Sequence, residues 1–497
     1  MLWLLLIGAL IIFYYYLSSS FQYWEKKNVP HPKPSMFFGN VSPLLTMTTS
    51  LGDLYTNFYN SFQNCSYVGY YRIRKPGLVI RDPQMVKNIL NRDFHIFHDN
   101  ELIIDETVDP IGSRNPFVLK GEMWKTVKNQ VTPCFTTKKL KSMYVLAEDA
   151  AKKLVDYINT STDASSSDGL EAKELFSKYS TEVVASCAFG LEGNTFNDPN
   201  SMFRKMGEKI FEPSLQNVLS TIVVLFLPSF TKLMKVGLLP KSVSDYFRNI
   251  VKETIRYRKE NNIVRNDFLD FMLDMKTKNE QFTDVDITAH TVSFFTDGFE
   301  TSSAMLSFLL YELATNQTTF KKLREEIDEA LSQHGNLDYD SLNQLIYMDA
   351  VINESLRLHP PTGILLRMCT KPFKLPPAKP GGGDEVQVEV GTPVIIPVQG
   401  LHYDPQYFKD PLVYDPDRFL PENKEAIMKG TFLPFGDGPR SCHGQRFALM
   451  QIKVALMNIV RYFDIKVSNK TVVPLQIDPT SIVIRAKGGI WIQFFKR

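Results

Sequence analysis

Residues 435–444 read FGDGPRSCHG. Three glycines and a proline among ten residues force a tight, non-helical backbone around Cys442. Beyond His443 the run GQRFALMQIKVALMNIVRYF carries the apolar stripe of a long helix. Cys442 is therefore expected at a helix N-terminus, where the dipole and free amide hydrogens stabilise a thiolate. A thiolate held in a glycine-lined loop is a donor for a metal ion. The other cysteines, Cys65, Cys134, Cys187 and Cys369, are far apart and none forms a CxxC pair. A disulfide framework and a structural zinc site are thus not suggested.

Upstream of this loop, TDVDITAHTVSFFTDGFETSSAMLSFLLYELATN begins at Thr283 and reads as one helix of about 32 residues, roughly 48 Å long. Thr283 with Asp286 resembles a capping box. The segment ESLR places Glu354 and Arg357 on one face of a helix that ends before Pro360. Met348, Val351, Ile352, Leu356 and Leu358 make that helix largely apolar, so an unpaired charge within it would be costly. Further helices are expected over 137–160, 171–190, 241–260, 317–334, 340–359 and 443–463, and strands over 67–73, 77–82, 393–398 and 489–495. KPGGGDE (379–385) reads as a turn between short strands. The expected fold class is mainly α with small β-sheets, in one domain of about 460 residues. The apolar, proline-broken segment 211–240 is either a buried helix or a surface segment dipping into lipid.

The 497 residues carry 56 Lys and Arg against 54 Asp and Glu, a net charge of +2 that provides no global field for nucleic acid. The run 1–17, MLWLLLIGALIIFYYYL, has no charge and fits a short membrane-spanning helix, with Phe21, Tyr23 and Trp24 extending it into an interfacial belt. Lys26 and Lys27 follow, which directs the body of the chain to the cytosol. A secretory signal cut near Ser18–Ser20 is the alternative, but it lacks a basic n-region, and a transit peptide would need arginines. Prolines 30, 32 and 34 favour a stiff spacer. The chain divides into an anchor (1–25), a proline-rich hinge (26–35) and a catalytic body (36–497).

FGDGPRSCHG matches the haem-binding signature F-x-x-G-x-R-x-C-x-G at every defined position, and by it the chain resembles the cytochrome P450 superfamily. The resemblance implies the P450 fold and haem b, with Cys442 as the axial thiolate ligand of the iron. Phe435 packs beside the ligand loop, and Arg440 bonds a haem propionate. Glu354 and Arg357 match the family's ExxR, and Arg418 in DPDRF matches P-x-R-F. These three are implied to form a locked network under the cysteine loop, with a structural role. GEMWKTVKNQVTPCF (121–135) resembles the W-x-x-x-R helix through Trp124 and Lys128; lysine here is a departure that loses the arginine fork. Arg367, in LLRMCT, matches another propionate-binding arginine.

DGFETS (297–302) resembles A/G-G-x-D/E-T-T/S. Gly298 is implied to let a ligand approach the backbone, and Glu300 with Thr301 to deliver protons during dioxygen activation. Asp297 departs from the usual Ala or Gly; it either esterifies a haem methyl, as a Glu does in the ω-hydroxylase branch, or sets substrate polarity. The implied activity is monooxygenation of lipophilic xenobiotics, insecticides or endogenous lipids. NADPH is the electron source through cytochrome P450 reductase, with cytochrome b5 as an optional second donor, at the cytosolic face of the endoplasmic reticulum membrane. The style is that of microsomal insect members. Pocket walls are placed at 97–120, 211–240, Phe294, Phe299, Ile364–Leu366 and Thr480–Ile482, and a reductase-docking face at Lys125, Lys138, Lys139, Lys141 and Arg446. The rivals are a reductase-independent isomerase or dehydratase and a ligand sensor without turnover.

Overall fold

In a computed structural model the described residues are 18–497 except Pro213, Glu280 and Pro380. Of the anchor expected over 1–25, residues 1–17 lie outside them. Among the described residues no helix is long and apolar enough to cross a membrane.

The long helix spans Asp284–Thr315 and starts on the expected box: Thr283 accepts from the Asp286 amide, and Asp286 accepts from the Thr283 amide at 2.8 Å. It is buried nearly all round because it runs through the main core. The Ala172–Phe189 helix crosses it closely, with Ser180 Oγ donating to the Phe299 carbonyl at 3.0 Å. The Thr137–Thr160 and Gln445–Tyr462 helices complete this core. The 137–160, 241–260 and 317–334 expectations match the observed helix bounds. The 340–359 expectation does not: it divides into Tyr339–Leu342 and Ile346–Leu358. The Glu326 carboxylate accepts from the amides of Tyr347 and Met348 at 2.7 and 2.8 Å, and so starts a fresh helix there.

Four strands form the larger sheet, in the order Tyr67–Arg72, Lys75–Ile80, Pro393–Ile396, Leu365–Met368. The middle pair is parallel and the others antiparallel. Phe373–Leu375 and Val386–Val388 pair across the expected 379–385 turn. A third sheet joins Leu170–Glu171, Trp491–Lys496 and Phe463–Val467.

One N-terminal expectation is corrected. Trp24 is fully buried: its indole donates to the Tyr70 carbonyl at 3.0 Å, and its ring lies where Gly69 leaves room. Phe21 and Tyr23 are partly buried on the same cluster, so the segment docks on the sheet and Trp24 is withdrawn from the expected interfacial belt. The proline spacer is also pinned, since Asn40 Nδ2 donates to the carbonyls of Pro32 and Lys33 at 3.1 and 3.2 Å. Within 211–240, a helix over Leu215–Phe226 buries Val223, Val224 and Phe226. Leu215 and Leu233 stay 71% and 76% exposed, which excludes the buried-helix reading.

Candidate active site

The cysteine loop closes on itself through the Cys442 amide, which donates to the Phe435 carbonyl at 2.9 Å. Gly438 sits at φ +72°, and a side chain there would run into the Leu90 carbonyl. Phe435 is partly buried against the main core. The helix starts at Gln445, two residues later than expected, leaving Gly444 as its N-cap. Cys442 is exposed, yet the surrounding protein pushes its thiol up to about 11; burial is the main cause, the Gly444 amide opposes it and Asp297 adds to it. Burial thus opposes the thiolate that the Gly444 amide and the helix end favour. A metal cation reverses that balance, because a coordinating thiol is deprotonated outright.

A rim of cations borders the loop. Arg367 is 6% exposed, and the side chain of Arg440 is equally covered. Arg440 donates to the Leu119 carbonyl at 2.6 Å and stacks on the Trp124 ring at 4.5 Å, with Asp99 at 3.3 Å. Arg367 donates to its neighbour Leu366 at 2.8 Å, while its Nε and Nη2 and the Nε of Arg440 have no hydrogen-bond partner. Burial lowers both guanidiniums to about 10, and Arg440 further lowers Arg367 by repulsion. Among the described residues Arg367 has no carboxylate partner and lies beside the positive Arg440, so it needs an anion, and the propionates of haem would supply that charge. Lys128 Nζ donates to the Pro439 carbonyl at 2.6 Å and lies 5.3 Å from the Trp124 centroid, so it braces the cysteine loop itself. The donor set, orphaned cations and cradle fit haem.

The long helix turns Asp297 toward the same space. Asp297 is solvent-accessible there yet crowded, and burial raises its carboxyl to about 6 against hydrogen bonds from Thr296 and Asn115. Thr301 Oγ donates to the Asp297 carbonyl at 2.7 Å, the local back-bond that a mid-helix threonine makes. Glu300 forms an ion pair with Lys173 of the neighbouring helix at 2.9 Å. Gly298 serves helix packing: a Cβ there would meet Val184 at 3.3 Å, so the close approach is to the Ala172–Phe189 helix. Two pocket-wall expectations are corrected. Phe294 packs among Phe135, Phe268 and Phe447 at 4.8–5.5 Å, and Phe299 against Phe295 and Phe211, both within the core. Other walls do converge. Leu102, Ile104 and Val118 meet Val224 and Leu366 in one cluster, and Thr480–Ile482 meets 218–226 across a cavity of about 50 Å³.

Behind the loop, Glu354 and Arg357 are fully buried and bonded through both oxygens at 2.7 Å. Arg357 also donates to the carbonyls of His402 and Pro411 at 2.9 and 2.7 Å, and Arg418 Nε reaches Glu354 at 3.4 Å. Sequence reasoning missed His402. Its Nδ1 donates to the Arg357 carbonyl and its Nε2 accepts from the Leu433 amide, both at 2.9 Å, two residues ahead of Phe435. One neutral imidazole thereby ties the ion-pair helix to the cysteine loop. Asn115, the partner of Asp297, was also missed, since SRNPF carries no motif. The proposed docking cations are partly engaged: Lys141 pairs with Asp340, Lys139 lies 3.5 Å from the Phe271 centroid, and Arg446 donates to Thr137 at 2.8 Å.

A cytochrome P450 family model matches residues 29–492. Cytochrome P450 6k1 of Blattella germanica is 35% identical over 99% of this chain and 97% of its own length. Probable cytochrome P450 28d1 of Drosophila melanogaster is 36% identical over 99% of this chain and 97% of its own. Cytochrome P450 6a2 of the same fly is 34% identical over 99% and 98%. The family binds haem through a cysteine thiolate and catalyses monooxygenation with a redox partner. With a cysteine loop facing an acid- and threonine-bearing helix, and with this similarity along nearly its whole length, the chain belongs to the cytochrome P450 family.

Proposed function

We propose that the protein is a microsomal monooxygenase that inserts one atom of O2 into small lipophilic molecules, with electrons from NADPH passed singly by a flavoprotein reductase and, where it assists, by cytochrome b5. The carrying observation is that the closed Cys442 loop is bordered by Arg367 and Arg440, whose guanidiniums keep unpartnered nitrogens. Haem b bound through Cys442 supplies dioxygen activation, chemistry that side chains alone cannot perform. The rest is the chain's own work. Arg367, Arg440 and Trp124 hold the propionate edge, and Lys128 braces the loop. Glu354, Arg357 and Arg418 fix the loop from behind. Lys173 holds Glu300 in place, and Glu300 with the Thr301 hydroxyl supplies protons.

We place a membrane anchor ahead of the docked Phe21–Trp24 segment, with the body at the cytosolic face of the endoplasmic reticulum. Xenobiotics and endogenous lipids are the substrate classes. The test is a reduced carbon monoxide difference spectrum, which reads thiolate ligation directly, followed by turnover with reductase, NADPH and isotopically heavy dioxygen. A thiolate-type Soret band lost in Cys442→Ser, together with one heavy oxygen in the product, supports the reading. Haem bound equally well by Cys442→Ser with an unchanged band overturns it.

A further inference from the structure

The carboxylate of Asp297 is held in place but not neutralised. Asn115 is buried, and its Oδ1 accepts from the Phe117 amide at 2.8 Å, which turns its NH2 group toward Asp297. That NH2 reaches the two carboxylate oxygens at 3.5 and 3.4 Å, and Thr296 donates to Oδ1 at 3.1 Å. Oδ2 thus has only the long Asn115 contact, although an ionised carboxylate can accept about four hydrogen bonds. Nearby cations are committed elsewhere: Arg114 pairs with Asp286 at 2.9 Å and with Glu106, and Lys173 pairs with Glu300. Among the described residues no cationic side chain pairs with Asp297. Burial raises its carboxyl, while the hydrogen bonds from Thr296 and Asn115 favour its anion. The segment that carries Asn115 also carries Leu102, Ile104 and Val118, which pack with Val224 and Leu366 in an apolar cluster. An apolar wall with one fixed, uncompensated negative charge is a selective environment.

Resting on the haem-thiolate reading above, we infer that Asp297, oriented by Asn115, is a specificity residue that selects lipophilic substrates bearing a positively charged amine. The ammonium group replaces the missing cation, and the apolar body lies along the wall. Thr301 is one turn on, about 6 Å along the helix axis, so the amine fixes which carbons approach the reacting centre. Lipophilic carboxylic acids are disfavoured by the same charge.

The test uses the full-length holoprotein and reads binding by the Soret shift that follows displacement of water from the haem. The probes are a phenylbutyl trimethylammonium ion, which cannot ligate iron, and its uncharged tert-butyl isostere. In the unaltered protein the cation is expected to bind about tenfold or more tightly than the isostere, ~1.4 kcal/mol. In Asp297→Asn this gap closes, with the isostere's affinity unchanged. In Asn115→Ala the gap narrows, because the carboxylate loses its orientation. Each preparation is first checked for the thiolate-type carbon monoxide band. Absence of that band in the unaltered protein overturns the haem-thiolate reading and this inference together. A normal band with no preference for the cation, or a preference that survives Asp297→Asn, overturns this inference alone. Haem that stays with the chain on denaturing acid extraction also overturns it, since the carboxylate is then spent on an ester.

Discussion

Replacing His402 by Phe is expected to loosen the cysteine loop from its support without touching haem or substrate. The imidazole is fully buried, and both nitrogens are engaged at 2.9 Å, one with the Arg357 carbonyl and one with the Leu433 amide. Phe keeps the aromatic stack on Phe432, whose centroid is 5.4 Å away, but leaves both backbone groups unpaired. A buried polar group left unsatisfied costs about 1–3 kcal/mol, so the pair amounts to ~2–6 kcal/mol. Against a net folding stability of about 5–15 kcal/mol, that is a large share. His402→Asn has a donor that can serve the Arg357 carbonyl and is expected to recover about half of the loss. Denaturant unfolding at pH 7.5 gives the energies. The rate at which the thiolate-type carbon monoxide band converts to the thiol type reports the loop itself, and His402→Phe should accelerate it. A His402→Phe protein within about 0.5 kcal/mol of the parent, with an unchanged conversion rate, refutes the reasoning.

Arg367→Met removes a buried cation that repels Arg440, so the unfolding midpoint of the haem-free protein is expected to hold or rise, while haem dissociation accelerates about tenfold or more as a charge-assisted bond of ~1.5–3 kcal/mol is lost; transfer of haem to an acceptor globin measures it. Arg357→Leu leaves the fully buried Glu354 carboxylate with only its weaker partners and is expected to cost about 3–5 kcal/mol in denaturant unfolding, more than Arg418→Leu, whose bond is 3.4 Å. Acid should destabilise the fold as pH falls from about 6.5 toward 3, because burial lowers His402 to about 3 and His290 to about 4, so the unfolded chain takes up protons that the folded chain refuses. Their contribution is complete above the ordinary histidine range and is lost below it. His290→Leu, which removes two unpartnered nitrogens, should make a urea-midpoint profile from pH 7 to 4 shallower. Lys173→Met releases Glu300, and more hydrogen peroxide per NADPH consumed is the expected result, with Lys173→Arg restoring the parent ratio.

Much of this protein is legible from local sequence because local forces set it. The glycine and proline spacing of 435–444 leaves the backbone few shapes, and the Thr283–Asp286 box fixes where the long helix begins. The pairing of Glu354 with Arg357 follows from their three-residue spacing on an apolar helix. What depends on contacts between distant segments is decided only by the tertiary structure. The helix expected over 340–359 breaks because Glu326, twenty residues upstream, caps its second half. Trp24 has an interfacial composition but is drawn into the body by the gap over Gly69 and the Tyr70 carbonyl. Phe294 and Phe299 lie on the cavity-bearing helix, yet neighbouring aromatics claim them for the core. Burial raises the Cys442 thiol against the Gly444 amide, and burial is set by what surrounds the residue, not by its place before a helix. The partners that give His402 and Asp297 their meaning, Leu433 and Asn115, are 31 and 182 residues away, and no local pattern marks them.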